Sequence, residues 1–351
     1  MGAQDYLKQS TTSSVITRSL ITSFDNLTSV VIVDILNSIL THTHSLMSNH
    51  GSAEPSSDQS KKSLPHQSFP RLTQRTRNTL LSLYDYPHPL KPGRIIRGYD
   101  KSHSRRTTKM CVMVAERLKH PSERITQYEI ACLLHDLGRA GLDQRLFGKI
   151  WSWAKTHGIP TRPREWRKKY PQTPYGKETE AFLEQYGKEL KDQGIPLDSW
   201  TKAQVEMRLG FARRLRKRIR EITPHLQSMG ITWLPWMEQI MLYYYYPEEL
   251  KHASRWVRQL AGILVACEQL EAFSNQRRGR DYYSRSRESL PQAFQYLEQL
   301  RSDKMISRTI FISIVRMMNC SSFTKLLIQA RGAAFTTREQ RFLRSLQKDF
   351  A

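Results

Sequence analysis

The chain has 351 residues, 39% of them hydrophobic, and carries 55 Lys+Arg against 32 Asp+Glu, a net charge of +23. This apolar share is enough for a core, which argues against wholesale disorder, and the length suits one large domain or two small ones. The four cysteines form no Cys-x-x-Cys pair, which argues against a disulfide scaffold or a structural zinc module and for a reduced, cytoplasmic chain. The positive charge has two readings, binding to a nucleic acid, nucleotide or anionic surface, or solvated basic helix faces.

In chain order, residues 1–75 are rich in Ser and Thr and nearly neutral, with 6 Lys+Arg against 5 Asp+Glu. They read as a flexible leader with some helical periodicity over 14–47, followed by a Ser-, Gln- and Pro-rich linker. The apolar stretch from Val30 to Leu40 contains Asp34 and Asn37 and is too short to span a bilayer. No signal peptide or myristoylation motif is expected at the start.

The remaining residues hold 49 Lys+Arg against 27 Asp+Glu and read as helical throughout. Val112, Ala115 and Leu118 recur with helical spacing after His103. Ile130, Leu133, Leu134 and Leu137 form an apolar stripe that Gly138 is expected to end. Further helices are expected over 175–191, 199–222, 233–245, 253–273, 289–300, 306–316, 323–330 and 337–346. No stretch alternates with period two, so the expected class is all-α with no sizeable sheet. The expected division is a leader at 1–75, a helical domain at 76–300 and a C-terminal helical extension at 301–351.

The run Ala131-Cys132-Leu133-Leu134-His135-Asp136-Leu137-Gly138-Arg139 carries the chemistry. An imidazole and a carboxylate at the end of a buried apolar helix need a partner, and a divalent cation suits both. This run, with His103 on an earlier helix, resembles the HD-domain metal-dependent phosphohydrolases. That family sets a His on one helix, a His-Asp pair ending a second, and an Asp on a later helix. In Val265-Ala266-Cys267-Glu268-Gln269-Leu270-Glu271-Ala272-Phe273, Glu268 stands where that Asp is expected.

Within the family the run Leu137-Gly138-Arg139-Ala140-Gly141, the Arg277–Arg287 segment and Leu290-Pro291-Gln292-Ala293 are similar to the HD-GYP branch. The resemblance spans roughly 98–300, specific near 103–141, moderate near 263–297 and poor between. The branch's His-His-Glu and Gly-Tyr-Pro features are absent, and Tyr243-Tyr244-Tyr245-Tyr246-Pro247-Glu248-Glu249 stands there instead. Glu206 falls near the place of a further family His.

The resemblance implies a metal set of His103, His135, Asp136 and Glu268, holding Mn, Fe, Zn or Mg. It also implies catalytic roles for Asp136 and Arg139, with Arg139 neutralising a phosphate. Arg280, Tyr283 and Arg285, beyond the last metal position, are expected to help Arg139 bind substrate. The implied reaction is phosphoester hydrolysis of a nucleotide or other phosphorylated small molecule. Two other readings are open: a catalytically silent HD domain that binds a nucleotide or protein, and a basic nucleic-acid-binding protein. Arg213–Arg220 and Arg162–Lys169 are further basic clusters, each either a substrate surface or a solvated face. Four successive tyrosines on a helix would point in all directions, so some would enter the core and others would close or line a site.

Overall fold

Fourteen α-helices and one short hairpin make up the residues that this computed structural model describes, 71–274 and 290–350. The expectations for the 1–75 leader and linker fall almost wholly outside these residues. The all-α class holds, since the hairpin pairs only Tyr86–Pro87 (β1) with Ile95–Ile96 (β2). No single helix among the described residues is long and apolar enough to cross a membrane.

After α1 (Gln74–Ser82) come α2 (Lys101–Arg117) and α3 (Ser122–Leu134), then a short 3-10 turn at Leu137–Arg139. The stripe predicted to end at Gly138 stops earlier, with His135 as C-cap. Gly138 instead permits a close approach. A Cβ there would lie 2.7 Å from the Phe211 ring, so Gly138→Ala is expected to cost about 1–3 kcal/mol by overpacking. Urea unfolding checks this, and an unchanged midpoint would refute it.

The region between the two stretches that carry the sequence resemblance has a core of its own. Helices α4 (Gln144–Thr156), α5 (Pro163–Lys169), α6 (Glu178–Asp192) and α7 (Ser199–Leu209) enclose Phe147, Trp151, Trp166 and Phe182. The helix expected over 199–222 breaks at Gly210, between α7 and α8 (Phe211–Ser228). A Cβ at Gly210 would lie 2.7 Å from the Glu206 side chain and 2.8 Å from the Thr179 hydroxyl oxygen, so any larger residue would force these side chains to shift.

The predicted helix at 233–245 is also shorter. It runs over Pro235–Leu242 (α9), followed by a turn that ends at Tyr246, where the following Pro247 disfavours helical backbone and φ is −138°. The tyrosine run is therefore a turn. Tyr243 and Tyr246 enter the core. Tyr244 bonds Tyr296, and Tyr245 bonds Arg139.

Helix α10 (Arg255–Ser274) crosses the middle of the main core, against α2, α9 and α11 (Leu290–Ser302). Its 263–267 run, Ile-Leu-Val-Ala-Cys, is buried all round, the mark of a central helix. Cys111, Cys132 and Cys267 are all fully buried and reduced there. Helices α12 (Arg308–Met317), α13 (Ser321–Arg331) and α14 (Thr337–Asp349) contribute Ile314, Leu327 and Leu343 to that same core.

The basic stripe on α8 is largely committed to structure. Arg213 pairs with Glu206, and Arg216 with Glu238 and Glu249. Arg218 pairs with Glu221. Arg214 is buried and donates to the carbonyls of Gly138 and Ala140, which fixes the turn that follows the His-Asp pair.

Candidate metal centre

Helix α2 carries His103 in its first turn, and α3 ends in His135, followed by Asp136. Packing of α2 on α3 brings the three together. All are buried, with 1%, 3% and 1% of their surface exposed. One ligand atom from each can be chosen so that all three lie within 4.8 Å of one another.

The hydrogen bonds settle which ring nitrogens face inwards. His135 Nδ1 lies 2.8 Å from the Cys132 carbonyl, which only accepts, so Nδ1 carries the hydrogen. His103 Nδ1 meets Glu271 Oε2, and Arg106 binds the other oxygen of that carboxylate, its Nε at 2.8 Å. An ionised Glu271 likewise accepts from Nδ1–H. Both Nε2 atoms are left to present a lone pair. They lie 3.7 Å (His103) and 3.6 Å (His135) from Asp136 Oδ2. Neither has a hydrogen-bond partner among the described residues. A buried polar atom without a partner is costly, and here two converge on one carboxylate. Imidazoles oriented by a carbonyl and a carboxylate are a common outer arrangement of metal sites, so the donor set fits a divalent transition ion.

The charge balance agrees. Burial alone would depress the His135 imidazole, but Asp136 and Glu268 outweigh it and hold it above its ordinary value. Burial, with Asp136 adding to it, pushes the Glu268 carboxyl up, partly offset by His135, Arg139 and His103. The carboxylates crowd a small volume, where a cation relieves their repulsion.

Of the expected set, His103, His135 and Asp136 come together. Glu268 faces them electrostatically but stands outside the metal-competent group. Sequence reasoning misses Glu271, three residues later and therefore on the same helix face. Glu206 pairs with Arg213 and also stands outside the group. Arg139 turns inwards, donating to Asp136 Oδ2 and to the Tyr245 hydroxyl, both at 2.9 Å. Tyr84 also supports the centre. Its buried hydroxyl donates to the Leu133 carbonyl and accepts from the Asp136 amide. Arg280, Tyr283 and Arg285 lie outside the described residues.

Beyond Tyr245 opens a cavity of about 300 Å³, lined in part by Arg162, Lys168, Tyr244 and Tyr296. It is joined to the centre through the chain Tyr245–Arg139–Asp136. Comparison with family models, with curated proteins and with solved structures finds no match for this chain.

Proposed function

We propose that this protein is a metal-dependent phosphohydrolase of the HD type, acting on a phosphoester such as a nucleotide. The observation that carries the reading is the pair of buried, unpartnered Nε2 atoms aimed at Asp136. A divalent ion, when bound, supplies Lewis acidity toward a phosphoryl oxygen and lowers the pKa of water. The chain's residues provide the rest. His103 and His135 present lone pairs, Glu271 and the Cys132 carbonyl fix the two rings, and Arg139 holds Asp136 in place. The guanidinium beside that carboxylate also offsets negative charge brought in by a phosphate.

A second reading rests on a specific contact. Arg139 bonds the same Asp136 oxygen that faces both imidazoles. A guanidinium can neutralise that carboxylate without an ion, which supports a catalytically silent binding module.

Metal content separates the two. The purified protein is expected to hold close to one equivalent of transition metal by elemental analysis, and His135→Ala/Asp136→Ala is expected to hold almost none. The wild type is then expected to release phosphate from a phosphoester panel in Mn or Fe. A protein that stays metal-free after reconstitution removes the hydrolase reading and leaves the silent module.

A further inference from the structure

A second cavity, of about 430 Å³, lies next to the first, and Met305 lines both. Arg255, Arg258, Arg301, Lys304 and Arg308 line it, and among the described residues no carboxylate does. Part of this charge is already engaged. Arg301 pairs with Glu298, and Arg258 donates to the Lys251 carbonyl. Arg255, Lys304 and Arg308 have no ion-pair partner among the described residues. Lys304 sits at φ +58°, a conformation that favours glycine, yet the residue there is a cation. The first turns of α10 and α12 line the same space and add to the positive field.

The neighbouring cavity has a different character. Tyr244, Tyr245 and Tyr296 supply aromatic surface, with Arg162 5.5 Å from the Tyr244 ring, and the lining mixes Arg164 and Lys168 with Glu165 and Asp303. The four cations left after Arg301 exceed what the phosphate of one nucleoside monophosphate needs, and two adjoining cavities exceed the room it fills. A row of cations beside aromatic rings is the arrangement that holds a single strand, with phosphates on the charges and bases on the rings. A duplex is too wide to enter pockets of this size.

We propose that the two cavities form one groove that binds single-stranded nucleic acid. Phosphates lie along Arg255, Arg258, Lys304 and Arg308, and bases lie against Tyr244 and Tyr296. The groove's tyrosine end leads to Arg139 and Asp136. Delivery of a phosphodiester to the metal centre rests on the hydrolase reading, whereas occupancy of the groove does not.

The test is fluorescence anisotropy with a labelled oligothymidylate of about ten nucleotides, within the usual site size, across a salt titration. Thymidine monophosphate is the competitor, and no metal is added. For single strands each phosphate contact contributes about 0.7 to the slope of log K against log salt. Arg255→Gln/Arg258→Gln/Arg308→Gln is expected to reduce the slope by about 2 and the affinity by roughly tenfold or more. Lys155→Gln/Lys188→Gln/Lys191→Gln removes the same charge elsewhere and is expected to change both far less. Tyr296→Ala is expected to weaken binding about tenfold with the slope unchanged.

Should the cavity triple fail to fold by thermal melt, Arg308→Gln alone replaces it, with an expected slope change of about 0.7. Equal effects of the two triples would show diffuse attraction to a basic protein and overturn the proposal. Competition by the monophosphate at the oligonucleotide's own affinity would overturn it too. His135→Ala/Asp136→Ala is expected to bind the strand like wild type, so loss of hydrolysis and loss of the groove are told apart.

Discussion

Replacing Glu271 by Gln is expected to lower metal affinity by about 10–100-fold while leaving every proposed ligand in place. Glu271 is fully buried and bridges Arg106 to the Nδ1 of His103. Its negative charge strengthens the hydrogen bond from Nδ1–H and fixes which nitrogen faces Asp136. A neutral amide keeps the shape but weakens both effects, and it leaves Arg106 without its counter-charge. Arg106→Met/Glu271→Gln removes the stranded charge, so what remains of the affinity loss belongs to His103. Competition with a chelating dye measures affinity, and melting of the metal-free protein measures folding. A purely structural role for Glu271 would lower the melting temperature of the metal-free protein and leave affinity within about twofold of wild type. That result would remove Glu271 from the proposed centre.

How far this centre is legible in the sequence differs by residue, for physical reasons. His135 and Asp136 can be read directly, because an apolar helix that ends in two polar groups must satisfy them. His103 is legible only through the resemblance, since its neighbours Arg105 and Arg106 look like a surface. The structure shows Arg106 turned toward Glu271, a partner 165 residues away that local periodicity does not reveal. Glu268 and Glu271 share a helix face, so spacing alone cannot say which reaches His103.

The all-α class is legible because helical periodicity persists from α1 to α14. Helix ends are less so. The close approach of Gly210 to Thr179 on another helix has no local sequence signal, and α9 stops at Leu242, five residues before the Pro247 that marks the end of the turn. In sequence the basic stripe on α8 is open between a substrate surface and a solvated face, and neither reading anticipates that Glu180, Glu206, Glu238 and Glu249 close on it from other elements. The cations lining the second cavity are scattered over 255–308 and form no motif until α10, α11 and α12 meet.

Glu339→Ala is expected to destabilise the protein by about 3–5 kcal/mol at neutral pH, the usual cost of removing one partner from a buried ion pair. Glu339 is 4% exposed, and Arg331 is 7% exposed. One carboxylate serves three elements. It accepts from Arg331 at the end of α13, from Thr336 at the start of α14, and from the amide of Leu290 at the start of α11. Its loss strands a buried guanidinium and two amides together. Since α11 carries Tyr296, the same clamp fixes one wall of the tyrosine-lined cavity. Domains are stable by only about 5–15 kcal/mol, so this single change brings the fold near its limit.

The contribution also depends on pH in a definite direction. Burial alone would raise the Glu339 carboxyl, but Arg331 and the amides of Thr336 and Leu290 outweigh it and hold it below the usual carboxylate range. A depressed folded-state value means the stabilisation is complete above the unfolded carboxylate value, about 4.3. It is lost as pH falls further, through the folded value. The difference in urea-unfolding free energy between wild type and Glu339→Gln, which cannot titrate, is therefore expected to shrink as pH drops below about 4.3. A difference that stays constant down to acid unfolding would mean that the carboxylate's charge contributes nothing here, and that shape and amide capping hold α11, α13 and α14 together.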